Sequence, residues 1–74
     1  MEELLELLTS IRADVDFESE TKLIDDSILD SFDIISIVSE LNDRYDIDIG
    51  VEDLEPENFN SAAAIYDLII RLQG

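Results

Sequence analysis

The chain has 74 residues, enough for one small domain, and 46% of them are hydrophobic, too many for a disordered acidic tail. Twenty Asp and Glu against four Lys and Arg give a net charge of −16, which repels nucleic-acid phosphates and anionic membranes and favours basic protein surfaces. There is no Cys and no His, so disulfides, the usual zinc and haem ligands, and Ser–His–Asp or Cys–His catalysis are excluded.

The N-terminus, MEELLELL, is acidic where a signal peptide would be basic, and no apolar run is long enough to span a bilayer. A cytoplasmic, monomeric protein is expected. Leu4, Leu5, Leu7, Leu8 and Ile11 share one helical stripe. Glu2 and Glu3 suit the positive end of a helix dipole. The spacing predicts a first helix over about residues 2–12. Residues 13–29 have no sustained period and carry isolated apolar anchors: Val15, Phe17, Leu23, Ile24, Ile28 and Leu29. They read as a long loop pinned to a core, a length that is uncommon without a function.

Ile34, Ile37, Val38, Leu41 and Tyr45 predict a second helix, with a core stripe centred on Ile34, Val38, Leu41 and Tyr45. Asp46-Ile47-Asp48-Ile49-Gly50 alternates like a strand but has no partner strand, so it reads as an extended loop. Residues 51–58 predict a short helical turn around Val51 and Leu54, interrupted by Pro56. Asn60 or Ser61 then caps a last helix carrying Ala62, Ile65, Leu68, Ile69 and Leu72. The sum is an all-α fold: one domain over residues 1–74, a bundle of three main helices plus one short helix.

The start of helix two, Leu29-Asp30-Ser31-Phe32-Asp33, concentrates the chemistry. Asp30 and Ser31 are both good N-cap residues, and only one can take the position. If Asp30 caps, Asp33 falls at the third helical position as an acidic capping box, and the Ser31 hydroxyl is free. If Ser31 caps, its hydroxyl is occupied. The first arrangement satisfies more backbone donors. A phosphate ester on Ser31 would then lie near unsatisfied N–H groups and the positive end of the dipole. Nothing nearby activates Ser31 as a nucleophile, so it suits modification by another enzyme better than catalysis. Phe32 and Ile35 fall off the core stripe on the side shared with Ser36 and Ser39, while Asp33, Glu40 and Asp43 lie further round, facing solvent. That strip reads as a docking surface for a partner with an apolar notch and a basic rim.

At these residues the chain resembles the acyl carrier protein family of phosphopantetheine-binding carriers. The family motif, Asp-Ser-Leu opening an apolar-periodic helix, stands here as Asp30-Ser31-Phe32, followed by Asp33. The run from Ile34 through Ile49 is similar to the family's second helix and the acidic segment after it. Val51-Glu52-Asp53-Leu54 and Asn58-Phe59 are similar to its third-helix region. The resemblance implies an acyl-carrier-like bundle in which Ser31 bears 4′-phosphopantetheine, transferred from coenzyme A by a magnesium-dependent phosphopantetheinyl transferase. It implies a thioester-bound acyl or aminoacyl cargo, a part for Asp30 in engaging the transferase, and docking through Phe32, Asp33, Ile35, Ser36, Ser39 and Glu40. The protein would be a non-catalytic substrate of adenylating or acyl-transferring enzymes. Phe32 replaces the common Leu, Ser36 and Ser39 stand where fatty-acid-synthase carriers tend to have Glu and Met, and Arg44 adds a positive charge. These departures speak against a fatty-acid-synthesis role, and the Phe32 version of the motif with the segment through Asn58-Phe59 is more similar to free-standing carriers paired with adenylating enzymes, such as D-alanyl carriers of teichoic acid modification.

Two other readings compete. A calcium loop fails on spacing: counting from Asp46, Gly50 and Val51 stand where an EF-hand needs a ligand and then glycine. An acidic helical interaction module without a prosthetic group needs only the charge.

Overall fold

In a computed structural model, which describes residues 2–73, the chain forms four α-helices and no strand among those residues: α1 (Glu2–Ile11), α2 (Ser31–Tyr45), α3 (Pro56–Phe59) and α4 (Ala62–Gln73). A single 3-10 turn, Val51–Asp53, precedes α3. Three helices are long and one is short, as the periodicity predicts. α1 packs on α2 and α4, α2 packs on α4, and α3 packs on α4. The radius of gyration is 11.0 Å, close to the value of about 11 Å for one compact domain of this length.

The helices form for the expected reasons. α1 buries Leu4, Leu7 and Leu8 and keeps Glu2 and Glu3 in its first turn, where the dipole favours them. It ends at Ile11, one residue short of the expected boundary, although the Arg12 amide still donates to the Leu8 carbonyl at 3.0 Å. α2 buries Ile37 and Leu41, whereas Ile34, Val38 and Tyr45 are only partly covered. Its inner stripe is therefore rotated from the expected centre onto Ile37, because both α1 and α4 press on this side. α4 buries Ala62, Ile65, Leu68 and Ile69. The Ser61 hydroxyl caps it, accepting the Ala64 amide at 3.1 Å.

The long loop between α1 and α2 is ordered by its apolar anchors and by Asn60. Phe17, Leu23 and Leu29 are buried, and Val15, Ile24 and Ile28 pack against the same core. Asn60 does not cap α4. Its side-chain oxygen accepts the amides of Ile24 (3.0 Å) and Asp25 (3.1 Å), and its carbonyl accepts the Leu23 amide (2.9 Å). The Leu23 carbonyl in turn accepts the amides of Ile28 and Leu29. These bonds satisfy backbone groups that a helix or sheet would otherwise pair.

After α2, Asp46 adopts a left-handed conformation (φ 52°), and the chain runs extended with Ile47 and Ile49 buried and Asp46 and Asp48 exposed. The Asn42 side chain accepts the Ile49 amide at 2.9 Å and holds this segment to α2. The expected short turn forms as the 3-10 turn Val51–Asp53, with Val51 and Leu54 85% and 43% exposed. The helical segment is interrupted at Pro56 as expected, and Pro56 then opens α3, where its missing N–H needs no acceptor. Leu72 is not in the core but 36% exposed, because it lies in the last turn of α4.

Among the described residues no polar or charged residue is buried, and the core is aliphatic apart from Phe17 and Phe59. Leu41→Ala should cost about 2–5 kcal/mol in urea denaturation, against under about 1 kcal/mol for Leu72→Ala at its half-open site. Equal losses would contradict this assignment of the core.

Candidate functional site

Asp30 occupies the N-cap of α2, with extended backbone (φ −104°, ψ −176°). Its carboxylate accepts the Asp33 amide at 2.9 Å, and the Asp33 carboxylate accepts the Asp30 amide at 3.2 Å. This is the reciprocal capping box expected from the spacing, with Asp in place of the usual Glu. The first helical bond follows, from the Ile34 amide to the Asp30 carbonyl at 3.0 Å. Because Asp30 takes the cap, Ser31 is the first helical residue, exposed, with a hydroxyl that bonds no other described residue.

Asp33 departs from expectation. It does not face solvent on the docking strip: its side chain is 14% exposed and forms an ion pair with Arg12. The Arg12 guanidinium also donates through Nε and Nη2 to Asp14, at 3.0 and 2.9 Å, and through Nη1 to the Ile28 carbonyl at 3.3 Å. Hydrogen bonding to Asp14, then to Asp33, raises the Arg12 pKa above its ordinary value. The bond from Arg12 lowers the Asp14 carboxyl to about 2. Composition gave no pointer to Arg12, because its partners lie in a loop and on another helix.

Beside Ser31 runs an open groove with apolar walls of Ile24, Leu29, Ile34, Ile35 and Leu54, with Ser27 and Asp30 also lining it. It adjoins a cleft of about 110 Å³ that shares Ile24, Ile34 and Leu54 and reaches Pro56 and Phe59. Phe32 and Ile35, the expected docking residues, are 81% and 65% exposed. Ser36, Ser39 and Glu40 are exposed as well. Sequence reasoning missed the part of Leu54, which it assigned only to a short helical turn; Leu54 and Ile35 line the same groove. Compared with known proteins, the chain matches no family model, no curated protein and no solved structure. The geometry around Ser31 carries the functional argument.

Two measurements test this site. Asp30→Ala removes the cap and should destabilise the fold by about 0.5–2 kcal/mol, whereas Ser31→Ala should change stability by less than about 0.5 kcal/mol. A larger loss for Ser31→Ala would mean that Ser31, and not Asp30, supplies the cap.

The second test is pH. A hydrogen bond with Glu57, then the charges of Glu57 and Asp53, hold the Glu55 carboxyl above its ordinary value. Its ionised form is disfavoured in the folded state, so protonation as pH falls through the raised value relieves the fold. Asp14 has the opposite sign. Its stabilisation is complete above the ordinary value of 3.8 and is lost only as pH falls toward about 2. Both groups are solvent-exposed and their effects are small. Glu55→Gln, which removes the disfavoured charge, should therefore melt slightly higher than the wild type at neutral pH, and that difference should shrink as pH falls toward the ordinary carboxylate range. A difference that grows as pH falls would contradict the assignment.

Proposed function

We propose that the protein is a carrier that holds 4′-phosphopantetheine on Ser31 and presents an acyl or aminoacyl thioester to partner enzymes. The observation that carries this reading is the division of labour at the start of α2. Asp30 takes the cap, which leaves an exposed Ser31 hydroxyl at the first helical position beside an apolar groove. The resemblance of Asp30-Ser31-Phe32 and the following helix to the acyl carrier protein motif supports it.

The residues present suit such a group. Ser31 Oγ would bond to the pantetheine-side phosphorus of coenzyme A as its pyrophosphate P–O bond breaks, releasing adenosine 3′,5′-bisphosphate, with the hydroxyl proton passing to the transferase. The resulting phosphodiester would sit at the positive end of α2, near amides that have no intrahelical acceptor. The walls formed by Ile24, Ile34 and Leu54 would cover the apolar part of a short arm or cargo. The arm supplies the thiol that this cysteine-free chain lacks. Phe32 and Ile35 give a partner two apolar contacts next to the attachment point. Ser36 and Ser39 lie exposed on the same stretch of α2, which fits an adenylating enzyme of the aminoacyl or D-alanyl type better than a fatty-acid synthase. Among the described residues no helix is long and apolar enough to cross a membrane.

The exposure of Phe32, Ile35, Val51 and Leu54 supports a second reading, an acidic interaction module that binds a basic partner without a prosthetic group. Intact-mass spectrometry separates the two. Incubation with coenzyme A and a broad-specificity phosphopantetheinyl transferase should add one phosphopantetheine to the wild type and none to Ser31→Ala. No addition under conditions that modify a control carrier would overturn the carrier reading.

A further inference from the structure

We propose that Arg12 is a positioning residue for the modification of Ser31, holding the Asp30–Ser31 turn and offsetting the Asp33 carboxylate next to it. This inference rests on the carrier reading.

The guanidinium joins three parts of the chain. Nε and Nη2 form a fork with Asp14, next to the end of α1, and fix the plane of the group. Nη1 then reaches the Ile28 carbonyl, at the end of the long loop, and the carboxylate of Asp33 in the first turn of α2. The same Asp33 oxygen accepts the Asp30 amide. A continuous chain of polar contacts thus runs from Arg12 through Asp33 to the backbone of the residue immediately before Ser31. The Arg12 and Asp33 side chains are 29% and 14% exposed, so this pair is screened less than an open surface pair.

Charge gives the second half of the argument. Asp30 and Asp33 are both within three residues of Ser31, and a phosphodiester there adds another negative charge. α2 itself carries no Lys or Arg before Arg44. Arg12, arriving from outside the helix, is the cation that meets the first turn. A lysine would not substitute fully, because a point charge cannot hold the fork with Asp14 and reach Ile28 and Asp33 together.

A merely structural Arg12 would alter stability and leave the transfer reaction unchanged. Steady-state kinetics of phosphopantetheine transfer to the intact protein should show Arg12→Gln lowering kcat by about tenfold or more, as misplacement of a reacting group does. KM should stay within about twofold, and Arg12→Lys should restore part of the loss. Arg71→Gln removes the same charge at the far end of α4, where Arg71 bonds Asn58, and should leave both constants unchanged. Hydrogen exchange of the Asp30 amide, followed by NMR on the unmodified protein, should quicken in Arg12→Gln. If Arg12→Gln does not fold, Arg12→Lys carries the same comparison.

A wild type that accepts no arm overturns the carrier reading and this role with it. In a wild type that is modified, unchanged kcat, a change confined to KM, or unchanged Asp30 exchange overturns the role of Arg12 alone.

Discussion

Only one residue can occupy the N-cap of a helix, and at α2 Asp30 occupies it. Much of the site follows from that choice. Asp30 pairs with Asp33 across the first turn, so the polar groups of the turn are satisfied without Ser31. Were Ser31 the cap, its hydroxyl would point at its own helix and the turn would shift by one residue. Phe32 and Ile35 would rotate with it. Burial of Ile37 and Leu41 against α1 and α4 fixes that rotation, so core packing and cap chemistry specify the same register.

The charge of the chain makes such a register harder to hold. Twenty acidic residues on a domain of this size repel one another, and only four cations are present to offset them. The fold puts three of those cations to structural use: Arg12 joins Asp14 and Asp33, Arg44 pairs with Glu3, and Arg71 bonds Asn58. The Arg44–Glu3 pair is exposed and is worth little. The Arg12 contacts are more enclosed and tie together elements that sequence separates by up to 21 residues. Asn60 does comparable work without charge, pinning the Leu23–Asp25 segment to the start of α4. The groove beside Ser31 depends on both, since Ile24 and Leu29 on its wall belong to the loop they hold.

The helices, their approximate ends and the capping box were legible in the sequence because each rests on local rules: period, cap spacing and turn residues. The Asp46–Gly50 run also read correctly as a loop rather than a paired strand, and no strand forms among the described residues. What could not be read depends on contacts between distant segments. The exposure of Val51 and Leu54 could not be read from a local window; Phe59 is buried nearby while both stay exposed. Asp33 sits on the outer side of an isolated helix; the guanidinium that draws it in comes from residue 12. Asn60 was a plausible cap by type, yet its backbone carbonyl and side chain were both needed by the loop, and Ser61 was free to serve.

The position of Leu54 has a physical consequence for the carrier reading. A residue assigned only to a short turn lines the groove together with Ile35, and Val51 and Phe32 are exposed as well. Exposed aliphatic and aromatic groups weaken a small domain's solubility, and a net charge of −16 offsets that tendency. The acidity and the exposed apolar groups are then two halves of one arrangement. In the carrier reading, the charge would keep the free protein dispersed and attract a basic partner from a distance, while the apolar residues would take effect only on contact. A carrier that meets several enzymes in turn needs binding of this kind, easily formed and easily released. An arm on Ser31 would start at the edge of that same apolar surface, so a docked enzyme would find the cargo beside its own contact site.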